Sequence, residues 1–220
     1  TEIKEEKPYL AVLAFPCSPY SPLHNLNPSE KIREEQQRHK ILISFAVKIA
    51  YLQLSEGRHF IIENPFPSLA WKMHQGLIKL GLDRRVFKTV FDQCRFGLRG
   101  EFGFHRKRTQ FLTSMRVLHD DFNDRRCLGQ HLHQPVIGGS KITAPAGHYP
   151  PAMANAIVRS AESQMKQDYP VKSQPAEVFQ AEHDLSKVSH EALAQEDSTD
   201  VPDDDTGLLD SDDESDPEWE

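Results

Sequence analysis

The sequence predicts a layered α/β fold. Three observations predict it: short continuous apolar runs that stop at proline or polar clusters, helical apolar spacing between them, and turn-forming segments at the joints. Residues 9–15, YLAVLAF, run apolar without a break and stop at Pro16, which suits a buried strand of a parallel sheet. Residues 16–29 are rich in Pro, Ser and Asn and read as a loop. Ser29 is placed to cap a helix, with Glu30 favourable in its first turn. The helical pattern continues to Ser55, with Leu42, Phe45, Ala46, Ile49 and Ala50 on one face and Gly57 to end it. A second strand begins at His59-Phe60-Ile61-Ile62 and ends in Glu63-Asn64-Pro65. Residues 68–80 read as one helix, 86–91 as a third strand and 109–113 as a fourth, the last two joined through Gly97, Gly100 and Gly103. Residues 115–150 are irregular, and 150–168 make a last helix with proline near its start.

Charge divides the chain. Residues 1–170 hold 24 Lys+Arg against 16 Asp+Glu, whereas residues 171–220 hold 2 against 17, which together give the net charge of −7. The basic body suits a polyanionic partner such as DNA. The acidic tail buries too little apolar surface to offset its chain entropy, so disorder is expected there; it reads as a solubilising terminus, the alternatives being a screen for the basic body or a tail that docks on a basic protein surface. The expected organisation is an α/β half-domain over 1–115, a Cys/His-containing extension over 116–170 and the tail over 171–220. No 18-residue apolar run is present, so no membrane helix is expected. Three cysteines cannot build a disulfide framework, which points to a reducing intracellular setting, nuclear if the partner is DNA. The sequence has no P-loop and no GxGxxG, so nucleotide hydrolysis and dinucleotide binding have no support.

In parallel sheets functional residues gather at the carboxyl ends of strands. Here those ends read Phe15-Pro16-Cys17, Glu63-Asn64-Pro65 and Asp92-Gln93-Cys94. A thiol and a carboxylate on one rim can act as nucleophile and proton donor. Cys127, His131 and His133 form C-x₃-H-x-H, with Cys94 as a fourth candidate. On an extended segment His131 and His133 face the same side, and thiolate with imidazole favours zinc in a structural role. The alternative is a surface loop that happens to hold two histidines. Arg84-Arg85 and Arg125-Arg126 read as solvated charges, and Trp71 and Met73 as packing residues.

Pro16-Cys17, Glu63-Asn64, Phe96-Gly97 and the pair Arg106/Arg108, in this order on strand ends, resemble motifs of the C5-cytosine DNA methyltransferases over residues 9–115. The resemblance implies the carboxyl-terminal part of a Rossmann-like S-adenosylmethionine-dependent domain. Cys17 would be the nucleophile, Glu63 with Asn64 would grip a flipped cytosine, Arg106 or Arg108 would hold the base oxygen or a phosphate, and Pro16 would touch the cofactor. The loop after Cys17 would close over the base. The glycine-rich cofactor turn of that family has no counterpart in this sequence, so the resemblance implies a fragment that is incomplete or inactive alone. Over residues 9–160 the motif order is also similar to methyltransferase-like modules of eukaryotic retroelement polyproteins. Two rival readings are a non-catalytic, zinc-stabilised nucleic-acid- or protein-binding module, and an amino-methyltransferase built on the Phe15-Pro16-Cys17-Ser18 turn.

Overall fold

The computed structural model describes residues 2–136 and 140–170. The expected disordered tail at 171–220 lies outside these residues, as do Gly138 and Gly139. A short exposed helix, α1 (Glu2–Glu6), precedes strand β1 (Leu10–Ala14). Helix α2 (Glu30–Ser55) follows, then β2 (His59–Pro65), α3 (Ala70–Met73), α4 (Gln75–Gly81) and β3 (Phe87–Asp92). Strand β4 (Arg108–Thr113), α5 (Arg116–Asn123), the single turn α6 (Ser140–Thr143) and α7 (Pro151–Asp168) complete the described residues.

The sheet has four strands in the order β1-β2-β4-β3. β1 and β2 pair in parallel, with Ala14 opposite Glu63. β4 pairs antiparallel with both β2 and β3. β1, β2 and β3 therefore point the same way, and their carboxyl ends share a rim with the amino end of β4. The sheet is mixed, as antiparallel insertions in layered α/β folds commonly make it.

Strand alternation sends Phe60 and Ile62 to one face and Ile61 to the other. The first face packs with Leu112 under α2, α3 and α4, whose Ile43, Val47, Ala50, Ala70, Leu77 and Leu80 are buried there. The second face packs Ile61, Phe91 and Phe111 against Met115, Leu118 and Phe122 of the α5 region and Met153 and Ile157 of α7. The half-domain at 1–115 and the extension at 116–170 thus share a core. Phe91 is its hub, with ring centroids 4.7 Å from Phe111 and 5.0 Å from Phe122.

Helix α2 starts where expected, with the Ser29 hydroxyl accepting from the Ile32 amide at 3.4 Å. Its buried face keeps the expected Ala46, Ile49 and Ala50 but takes in Ile43 and Val47, while Leu42 and Phe45 are exposed. Gly57 lies at φ +67°, the left-handed turn that favours glycine after a helix. Gln53, fully buried, donates to the carbonyls of Pro8 and His59 and so ties α2 to the entry of β1 and β2.

The helix expected over 68–80 is two. His74 is extended (φ −93°, ψ 109°), and its ring reaches the Ser44 hydroxyl at 3.2 Å. The break lets Leu77 and Leu80 of α4 turn into the core. Helix α5 replaces irregular chain: Leu118 and Phe122, four apart, are buried, while Arg116 and Asp120 pair outside at 2.8 Å. Among the described residues no helix is long and apolar enough to cross a membrane.

Candidate functional site: a thiol–carboxylate cleft beside a metal-ligand cluster

The shared rim carries two neighbouring features. The first is a cleft of about 610 Å³ lined by residues that include Pro16, Cys17, Glu63, Asn64, Lys107 and Tyr149. It forms because β1 and β2 run side by side and end together. Asn64, almost fully buried, donates to the Phe15 carbonyl at 2.9 Å and locks the two strand ends. Cys17 is exposed at the cleft mouth. Glu63 is only 6% exposed.

Burial pushes the Glu63 carboxyl above the usual carboxylate range, against the opposing pull of the Lys107 ammonium and of Tyr149. The Tyr149 phenol is pushed up in turn, by burial first and then by the Glu63 charge. Tyr149 acts on the carboxyl, yet neither its hydroxyl nor Glu63 Oε1 meets a partner at hydrogen-bonding geometry, and Asn64 Oδ1 also lacks one. Three buried polar atoms without partners around one cleft suit a ligand that supplies them.

The loop after Cys17 is fastened rather than free to close. Tyr20 donates to the Gln36 carbonyl of α2 at 2.9 Å, and the Gln36 amide donates to the Pro19 carbonyl at 2.8 Å. Asn25 donates to the carbonyls of Pro19 and Ser21.

Arg106 and Arg108 stand on the rim but do not line the cleft. Both turn to Asp92 at the end of β3, with Arg108 Nε 3.1 Å and Arg106 Nε 3.6 Å from its oxygens. Burial works against the Asp92 charge, but the Cys127 amide and the two guanidiniums hold it below the usual carboxylate range. Alternation explains the substitution of Lys107 for the arginines: residues two apart face one way, and the one between faces the other. That signal was present in the Arg-Lys-Arg spelling of 106–108. Tyr149 had no such signal, because it arrives on a turn far along the chain.

The second feature is the Cys94–Cys127–His131–His133 group, whose ligand atoms all lie within 4.8 Å of one another. Cys94 sits on the turn after β3, at residues Gln93–Phe96. Cys127 Sγ is 3.5 Å from His131 Nε2 and 3.4 Å from His133 Nε2. A tetrahedral ion with Zn–S near 2.3 Å and Zn–N near 2.0–2.1 Å separates sulfur and nitrogen by about 3.5–3.6 Å. The four residues therefore could hold a metal ion with little rearrangement. The Gly129 amide points at Cys127 Sγ at 3.4 Å, from a turn with φ +81° that glycine adopts readily. Burial pushes the Cys94 thiol up to about 12, helped by neighbouring Cys127; a bound cation reverses that preference by taking the thiolate.

The described residues contain no glycine-rich strand–turn–helix beside β1, so they do not form a cradle for S-adenosylmethionine. Pro16 lines the cleft but has no such partner. Comparison with known protein families, with curated proteins and with solved structures finds no match for this chain.

Proposed function

We propose that the chain binds nucleic acid along its basic rim and holds one extruded cytosine in the cleft between the ends of β1 and β2. The observation that carries this reading is the convergence on one cleft of an exposed thiol, Cys17, with a buried carboxyl, Glu63, whose Oε1 has no partner. A base inside a duplex cannot reach such a cleft, so it must be single-stranded or flipped out.

The chemistry follows from the two groups. Burial favours the acid form of Glu63, which donates a hydrogen bond to the ring N3. The Cys17 thiolate adds to C6, the C5=C6 electron pair shifts toward C4, and N3 takes the Glu63 proton. The product is a neutral enamine that accepts a proton from water at C5. Loss of the original C5 proton, return of the N3 proton to Glu63 and departure of the thiolate restore cytosine. S-adenosylmethionine would supply a methyl group to such an adduct, but these residues do not hold it. What they support is capture of the base. The resemblance in motif order to retroelement methyltransferase modules fits this reading. With no cofactor cradle among the described residues, the reading extends to base capture and C5 proton exchange on a zinc-stabilised module and stops short of methyl transfer. The ion assigned to the Cys/His group is zinc, on the strength of its donor set and spacing.

The test uses the full chain, a cytosine-rich single-stranded oligodeoxynucleotide and D₂O, with no methyl donor. Deuterium should enter cytosine C5. Cys17→Ala should abolish it, and Glu63→Gln should slow it by about 10²–10⁴-fold. Exchange that persists in Cys17→Ala removes the covalent reading. Failure to bind the oligonucleotide even at low salt removes the nucleic-acid reading altogether.

A further inference from the structure

One stretch of backbone, residues 104–108, separates the metal-ligand group from the cleft. The Phe104 amide donates to the Leu132 carbonyl at 3.0 Å, and the Phe104 carbonyl accepts from the Gln134 amide at 2.9 Å, so the stretch pairs across His133. His105 Nδ1 lies 3.0 Å from the Gln134 carbonyl. Arg106 donates to the Cys127 carbonyl at 3.0 Å. The Lys107 carbonyl accepts from the Gln93 amide at 3.0 Å, one residue before Cys94. Every segment that supplies a ligand grips this stretch within one residue of the ligand itself.

The far side of the stretch is the cleft wall. Lys107 Nζ donates to the Ala146 carbonyl at 2.9 Å and so holds the turn that leads to Tyr149. Its charge also acts on Glu63. The four ligands come from two chain segments, 93–96 and 127–133, that are far apart in sequence. Without an ion, the sulfur–nitrogen contacts of Cys127 with His131 and His133 stay within one segment, and the two segments meet beside the cluster through Asp92, whose carboxylate accepts from the Cys127 amide at 2.9 Å and whose amide donates to the Arg125 carbonyl at 3.0 Å. With one, four bonds fix both segments, and the stretch between them with them.

We propose that a tetrahedral metal ion of the zinc class at Cys94, Cys127, His131 and His133 is a structural fastener that positions Lys107 and, through Ala146, the Tyr149 wall of the cleft. Four protein ligands fill the tetrahedron and leave no position for substrate, so the ion acts through placement. The placement claim stands without any ligand; only its consequence for capture of a base rests on the function proposed above.

The experiment reads amide hydrogen exchange in the full chain, with zinc content measured beside it. The purified protein should carry one equivalent of zinc. Chelation should raise exchange of the Gln93, Phe104, Gln134 and Gly147 amides by about tenfold or more, leave the His59 amide between β1 and β2 unchanged, and be reversed by added zinc. Lys107→Met should keep the zinc and the protection at Gln93 and Phe104, but lose protection at Gly147. Less than half an equivalent of zinc overturns the proposal. So does a Gly147 amide that ignores chelation, or a loss of protection that spreads to His59, which would make the ion a prop for the whole fold. Cytosine exchange separates the two readings. Zinc-dependent protection without C5 deuteration leaves the fastener standing and sinks the covalent step; C5 deuteration without zinc-dependent protection does the reverse.

Discussion

At Glu63 the sheet holds a carboxyl where water hardly reaches. Its proton affinity is raised in the folded state, so the fold binds that proton more tightly than the unfolded chain does. Stability then falls as pH rises from the ordinary glutamate range through the raised folded value, and stays lower above it. Glu63→Gln has no such ionisation. Its unfolding free energy, measured in urea across pH, should gain on the wild type as pH rises through that window, while the two converge in acid. Lys107 limits the gain, because the variant leaves its ammonium without the opposing charge. Asp168 has the opposite sign. Burial disfavours its charge, but hydrogen bonds from Tyr9 at 2.6 Å, His59 at 2.8 Å and Gln164 at 3.0 Å hold its carboxyl below the usual range. That stabilisation is present above the unfolded carboxylate range and is lost as pH falls through the lowered value. Asp168→Asn should cost about 1–2 kcal/mol near neutrality, a difference that vanishes in acid on the same denaturation series.

Among the elements, the turn between β3 and β4 is the most tightly specified. A Cβ on Gly100 would run into Gln134 Oε1 and the His105 ring, and His105 is fully buried. To withdraw, Gln134 Oε1 must give up the Phe102 amide at 3.1 Å, and the His105 ring its contact with the Gln134 carbonyl at 3.0 Å. Gly100→Ala should lower stability by about 1–3 kcal/mol in thermal or urea unfolding and weaken zinc retention in competition with a chelator. The glycine spacing at 97, 100 and 103 marked a turn in the sequence, but not that Gly100 and, less severely, Gly103 are crowded while Gly97 is open. Continuous apolar runs gave away β1 and β2, and Pro16 and Asn64-Pro65 gave away where they stop. The break at His74 was hidden, because Ala70, Leu77 and Leu80 keep helical spacing across it; the reach of the His74 ring to Ser44 and the close fit of Gly76 beside Val47 accompany it. Helix α5 lacked a capping side chain at Met115 and was too short to announce itself.

Across the whole molecule, topology decides what the sequence could only juxtapose. Parallel pairing of β1 with β2 brings Cys17 and Glu63 to one cleft, and insertion of antiparallel β4 puts residues 106–108 on the same rim. The Cys/His group was legible by spacing alone, since ligand chemistry is local to a few residues. The pairing of Arg106 and Arg108 with Asp92 was not, because it depends on which strands become neighbours. The basic rim makes a further expectation: affinity for a single-stranded oligonucleotide should fall steeply with salt, and Arg95→Gln, an exposed side chain beyond β3, should reduce the slope of log K against log salt by about one without changing sequence preference. Fluorescence anisotropy titrations at several salt concentrations measure it.

The unequal burial of the three cysteines gives the molecule a built-in gauge. Cys17 stands in solvent, whereas Cys94 is 3% and Cys127 5% exposed. A maleimide added to the native protein should label one position quickly and stall, then reach the other two only after a chelator has removed the ion proposed above. Intact mass would step from one adduct to three, so a single spectrum would report both whether the cleft mouth is open and whether its wall is fastened.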